Sequence, residues 1–129
     1  MNSRIWYQNP EKRKIRLHRE RVTHWETTAV SRATFSCRKN DRVCSITVDD
    51  VKALWVEQKG LCFWTSVPLI PSVGKRDPQR PSLDRLDNDI GYVAGNVVLA
   101  SAFANIGRQS ASADRMRDFM IALRECCKK

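Results

Sequence analysis

The chain has 129 residues, 42% hydrophobic and 29% charged, which suits one folded domain with a modest core and excludes a disordered polar tract. No apolar run approaches the ~20 residues that span a bilayer, and Met1-Asn-Ser-Arg-Ile-Trp6 lacks the apolar stretch of a secretory signal, so a cytoplasmic location without a membrane partner is expected. The net charge of +9 is uneven, with eleven Lys/Arg against four Asp/Glu in residues 1–45 and twelve against ten in residues 46–129.

Residues 1–45 therefore read as a basic, mainly helical N-terminal arm attached to a nearly neutral domain over residues 46–129. Lys12, Arg13, Lys14, Arg16, Arg19, Arg21, Arg38, Lys39 and Arg42 would displace counterions from a phosphate backbone, which makes double-stranded DNA the expected partner. Trp6, Tyr7, His18, His24 and Trp25 are interleaved with them, and flat rings stack or wedge beside phosphate contacts. A solvated helix face is the plainer account of the same charges. Residues 11–37 are predicted to be largely helical, with a break near Thr27-Thr28 because the apolar spacing is imperfect there, and residues 39–42 form a turn.

A second helix is predicted from a Thr47 cap, with Asp50 three residues on and Val51, Leu54 and Trp55 as its apolar face, ending at Gly60. Residues 61–65 and 67–70 suit a short hairpin, and residues 71–81, with three prolines and a glycine, a loop. Lys75, Arg76 and Arg80 in that loop either grip a DNA backbone or solvate it. Ser82 to Leu86 reads as a strand, Asn88 to Gly91 as a turn, Asn96 to Ala100 as a second strand and Ser101 to Gly107 as a short helix. A last helix is capped by Ser110 or Ser112, with Met116, Phe119, Met120, Leu123 and Cys127 in helical spacing as its inward stripe.

Strand, loop, strand and helix over residues 82–108 make the skeleton of a small ββα metal site inside an α+β domain with flanking helices. Such a site needs an acidic ligand at the end of the first strand and a second ligand on the helix. Asp84 and Asn105 meet both needs with hard oxygen donors that suit Mg²⁺ or a similar divalent cation such as Mn²⁺. Asn96 has the short amide that ties loop backbone groups together. A hard cation there would stabilise charge building on a phosphate oxygen. Asp87 and Asp89 are further oxygen donors, though acidic residues beside Gly more often form turns.

The run Pro81-Ser-Leu-Asp-Arg-Leu-Asp-Asn-Asp-Ile-Gly-Tyr-Val-Ala-Gly-Asn-Val, followed by Asn105, resembles the HNH (His-Me finger) endonucleases. It is closest to small phage-encoded members and to a rare-cutting restriction branch with Asp-Arg in place of Asp-His. Residues 46–69 also resemble the segment that precedes the motif in those phage proteins, so the likeness spans residues 46–118. It implies a metal-dependent DNA endonuclease encoded by a phage or mobile element. Asp84 and Asn105 would be the metal ligands, Asn96 the structural asparagine, and Arg85 would stand at the place of the usual histidine base.

Two departures matter. Arginine is always protonated, so Arg85 can clamp phosphate but cannot take a proton from water. In the restriction branch a tyrosine on the preceding helix is implied as the base, and Trp55 stands in its place; Tyr7, His18 and His24 are the remaining candidates. Relatives also brace the fold with two Cys-x-x-Cys pairs, whose positions here hold Cys62, Thr65, Ser101 and Ala104, so no structural zinc is expected. The fold would then rest on Phe63, Trp64, Val98, Leu99 and Phe103. The other cysteines, Cys37, Cys44, Cys126 and Cys127, have no disulfide or metal spacing, and the adjacent Cys126-Cys127 pair carries no motif. Arg108, at the end of the short helix, joins the expected DNA contacts.

The leading expectation is therefore Mg²⁺-dependent phosphodiester cleavage. The alternatives are a DNA-binding protein on a decayed nuclease fold and, less economically, a protein-binding inhibitor module that uses the basic arm. A palindromic target would call for a two-fold homodimer.

Overall fold

The computed structural model of the chain describes residues 9–14, 24–71 and 77–128. Trp6, Tyr7, Arg16, His18, Arg19, Arg21, Lys75 and Arg76 lie outside the described residues, and residues 10–14 form one helical turn.

Helix α1 (Trp25–Asn40) carries Arg38 and Lys39 in its last turn, where cations oppose the negative end of the helix dipole. It stops at Asp41, whose left-handed backbone (φ 51°) turns its N–H back onto the Cys37 carbonyl. Ala33 and Cys37, one helical turn apart, are buried in the interior, so the segment expected as a basic arm contributes part of the core.

Helix α2 (Val48–Glu57) opens with the predicted Thr47–Asp50 cap. The Asp50 N–H donates to Thr47 Oγ1 at 3.2 Å, and the Thr47 N–H donates to Asp50 Oδ2 at 2.9 Å. Val51 is wholly buried, and Trp55 packs on Trp25 with ring centres 5.3 Å apart. The chain reverses at Gly60, where a positive φ of 69° and the Trp55 ring, 2.9 Å from any added Cβ, both require glycine.

The expected hairpin over residues 61–70 contracts to a single bridge between Leu61 and Pro68, because proline has no N–H with which to extend a ladder. Strands β1 (Pro81–Arg85) and β2 (Val97–Ser101) pair antiparallel, with Asp84 opposite Val98 and Leu83 opposite Leu99. Relative to the sequence reading, β1 starts one residue earlier and β2 one residue later; proline is tolerated as a first strand residue, where no N–H is needed. The outer edge of β2 is closed by a side chain. Gln58 Nε2 donates to the Leu99 carbonyl at 2.8 Å, and its Oε1 accepts the Leu99 N–H at 2.9 Å, as a third strand would.

Helix α3 (Ala102–Arg108) follows β2 directly, with Ser101 Oγ accepting the Ala104 N–H, and helix α4 (Ala113–Cys127) is capped in the same way by Ser112. Together these elements form an α+β fold with a two-stranded sheet at its centre. Val51, Cys62, Trp64, Leu69, Leu83, Leu99, Met116 and Met120 form the core around that sheet. Two aromatic residues expected in it are exposed. Phe103 (70% exposed) lies on the outer side of α3, which turns Ala102, Ala104 and Arg108 inward, and Phe63, 39% exposed, stays at the surface with its ring edge-on to buried Trp64, centres 4.9 Å apart. On α4 the inward stripe narrows to Met116 and Met120, with Phe119, Leu123 and Cys127 exposed. Among the described residues no helix is long and apolar enough to cross a membrane.

Candidate active site

Ser82 and Asp84 share one face of β1, because strand side chains alternate with a period of two. Asn105 and Arg108 share one side of α3, because helical residues three apart do. These two faces meet. Asn105 Nδ2 donates to Ser82 Oγ at 2.7 Å and to the Leu83 carbonyl at 3.3 Å, while Arg108 Nη1 donates to Asp84 Oδ1 at 2.8 Å.

Asp84 is 4% exposed, and its other oxygen accepts the Trp64 indole N–H at 2.8 Å. Arg108 is the larger departure from expectation. Its side chain is 0% exposed and spans four acceptors: Asp84 Oδ1, the Arg85 and Leu86 carbonyls, and the Ala111 carbonyl. Its guanidinium also lies 5.0 Å from the Trp64 ring centre. Arg108 is therefore an internal clamp and not a surface contact for DNA. The physical reason is that a guanidinium leaves water at tolerable cost only where a counter-charge and acceptors for its donors await it, and this corner of the fold supplies both.

The loop after β1 is held by Asn96. Its Oδ1 accepts the Asp87 N–H at 2.9 Å, and its Nδ2 donates to the Asp87 and Gly91 carbonyls at 3.1 and 3.0 Å. Asp87 Oδ1 in turn accepts the Asp89 N–H at 2.9 Å, a turn-forming bond. Arg85 Nη1 donates to the Asn88 carbonyl at 2.9 Å, and its guanidinium sits 5.3 Å from the Tyr92 ring centre. Burial pushes the Tyr92 phenol above its ordinary pKa, and the opposing Arg85 charge does not reverse that shift. Tyr92 is thus a seat for Arg85 and a poor proton acceptor near neutral pH. Gly91 precedes it because the chain crosses the Val43 backbone so closely that a Cβ would fall 1.8 Å from the Val43 carbonyl oxygen.

Trp64 and Tyr92 are the residues that sequence reasoning left without a role at the site. The Gly91-Tyr92 pair was a signal, since it belongs to the motif, but nothing local connects Trp64 to Asp84. Trp55, at the implied base position, packs on Trp25 and Gly60. His24 stands exposed at the start of α1. Arg13, Lys14, Arg38, Lys39 and Arg42 are exposed; Lys12 is half-buried, and Lys14 pairs with Glu11 at 3.3 Å.

Asp84 and Asn105 carry the hard oxygen donors of the candidate site. Each Asp84 oxygen accepts one hydrogen bond where a carboxylate oxygen has room for two, and no hydrogen bond from a described residue reaches Asn105 Oδ1. Two protein oxygens suffice for Mg²⁺, which keeps most of its waters. Among the described residues no three His, Cys, Asp or Glu side chains converge on one point. Among Cys62, Thr65, Ser101 and Ala104, the Cys62 thiol accepts the Ser101 N–H at 3.2 Å. Burial raises the pKa of this thiol, but hydrogen bonds from Thr65 and Ser101 outweigh it and hold Cys62 below the ordinary thiol value.

No protein-family model and no curated protein matches the sequence. The fold is similar to the solved structure of the rare-cutting HNH restriction endonuclease PacI, with a TM-score of 0.61 and 17% sequence identity over 78% of each chain.

Proposed function

We propose that this chain is a divalent-metal-dependent DNA endonuclease of the HNH type, which hydrolyses or nicks a phosphodiester of double-stranded DNA. The observation that carries the reading is that Asn105 on α3 bonds Ser82, on the face of β1 that also carries Asp84, while no hydrogen bond from a described residue reaches the Asn105 amide oxygen. The likeness of the fold to a restriction endonuclease supports the substrate class.

In this reading Asp84 and Asn105 hold Mg²⁺ or Mn²⁺. A bound divalent cation supplies electrostatic stabilisation of the charge that grows on the phosphate as its P–O bond breaks. Arg108 holds the Asp84 carboxylate in place, and Asn96 fixes the loop that follows it. Arg85, held by the Asn88 and Ile90 carbonyls and the Tyr92 ring, exchanges those contacts for a phosphate oxygen. The exposed basic residues grip the duplex, and a palindromic site would engage two copies of the chain.

Nicking of supercoiled plasmid with Mg²⁺, with and without chelator, tests the reading. Cleavage is expected from the wild type alone, lost with chelator, in Asp84→Asn and in Asn105→Ala. Failure of the wild type on every DNA form, or undiminished cleavage by Asp84→Asn, overturns it.

A second reading, DNA binding without cleavage, is favoured by the neutralisation of a nearly buried Asp84 by Arg108. It predicts sequence-preferring binding that needs no divalent ion and survives Asp84→Ala.

A further inference from the structure

One side of helix α1 is fixed to the body of the protein. Ala33 and Cys37 are buried there, Trp25 packs on Trp55, and the helix's one acid, Glu26, lies half-buried on the same side. The opposite side carries Thr28, Ser31, Arg32, Phe35, Arg38 and Lys39, which recur at three- and four-residue spacing and are all exposed. Among the described residues no ion pair engages Arg32, Arg38 or Lys39, so this stripe is cationic with no acid of its own. Phe35, 72% exposed, stands in the middle of the three cations, and its ring shares an open groove with Arg32 and the hydroxyls of Thr27, Thr28 and Ser31. A single exposed ring is ordinary at a protein surface. Set among unneutralised cations and hydroxyls, it complements the major groove of DNA, which has phosphates along its rims and base edges with thymine methyl groups on its floor.

We propose that the outward face of α1 reads DNA from the major groove, with Phe35 against thymine methyl groups and Arg32, Arg38 and Lys39 on the flanking phosphates. A major groove about 12 Å wide admits one α-helix. From Thr28 to Lys39 the stripe runs about 16 Å at the rise of a helix, enough to meet several successive base pairs. The Thr28 and Ser31 hydroxyls can donate or accept at base edges. Helix α1 also packs on α2 and on β1, the strand that carries Asp84, so the reading face and the candidate site belong to one packed body. This inference rests on the DNA-binding part of the proposed function and adds to it the element that selects the sequence.

The test selects bound duplexes from a random-sequence library with wild type, in Ca²⁺ and in chelator, and then replaces each thymine of the selected site by uracil, which lacks the methyl group. Affinities of wild type, Phe35→Ala, Arg32→Ala and Lys39→Ala are measured on these duplexes against salt concentration. Uracil at one or two positions is expected to weaken wild-type binding roughly threefold to fourfold, the worth of one buried methyl group, and to leave Phe35→Ala indifferent at those positions. Arg32→Ala and Lys39→Ala are expected to weaken binding similarly across sequences and to lower the salt slope by about one each. Phe35, Arg32 and Lys39 are exposed, so unchanged melting temperatures should show that the variants fold. No selected site, or a site whose uracil substitutions act equally on wild type and Phe35→Ala, overturns reading by α1, and so do unchanged salt slopes in both cation variants. In those cases wild-type DNA binding or nicking still upholds the proposed function. A wild type that binds no DNA of any sequence overturns both.

Discussion

Arg108 on α3 donates to the buried carboxylate of Asp84 on β1 at 2.8 Å, and the same guanidinium gathers the carbonyls of Arg85, Leu86 and Ala111. The candidate metal ligand, the loop after it and the end of the helix therefore move as one unit. Replacing Arg108 by Met leaves Asp84 buried without its counter-charge, and a loss of ~3–5 kcal/mol in unfolding free energy is expected. Arg108→Lys is expected to recover only part, because an ammonium cannot span four separated acceptors. Urea unfolding of the three proteins measures both, and equal stability of Met and wild type contradicts the clamp.

Asn96 carries the loop in a different way, by acting as donor and acceptor at once. Asn96→Ala is expected to cost about 2 kcal/mol or more by stranding buried carbonyl groups. Asn96→Asp is expected to be no better, since a carboxylate cannot donate to the Asp87 and Gly91 carbonyls. Denaturation midpoints, together with proteolysis within residues 86–91, report whether the loop loosens before the core.

The glycines separate into sites that exclude a side chain and sites that do not. Gly91→Ala drives a Cβ into the Val43 backbone and is expected to destabilise by at least ~2 kcal/mol. Gly107, inside α3, has nothing within 4 Å of an added Cβ. Gly107→Ala is expected to stabilise by about 0.5–1 kcal/mol, through lower backbone freedom in the unfolded chain. Melting temperatures that move in opposite directions meet both expectations.

Tyr92 links stability to alkaline pH. Its pKa in the folded protein is raised, so the folded state holds the phenol proton more tightly than the unfolded chain does. That contribution is fully present below the ordinary tyrosine value and is lost as pH rises through the folded value. Wild type is thus expected to lose stability above about pH 10 more steeply than Tyr92→Phe. Unfolding curves at stepped alkaline pH measure the difference, and parallel curves contradict it.

The local punctuation of the fold was legible in the residues. The Thr47–Asp50 cap, the Ser112 cap, the turn at Gly60 and the strand–loop–strand–helix order over residues 82–108 appear where adjacent residues demand them. The misses concern partners. Phe103 looked like core because it is large and apolar, yet α3 is short and meets the sheet through alanines, which leaves the ring outside. Arg108 looked like a phosphate contact because it is cationic and stands at a helix end, and it is buried against Asp84.

By itself, then, the sequence determined the basic charge bias, the helix caps and the order of elements that brings Asp84 and Asn105 into one motif, since each depends on residues a few positions apart. Only the tertiary structure decided that Trp64 and Arg108 close over Asp84 and that Tyr92 carries Arg85. Charge and size are properties of a residue, but burial and pairing belong to whatever the folded chain brings beside it, and Trp64 is twenty residues from Asp84.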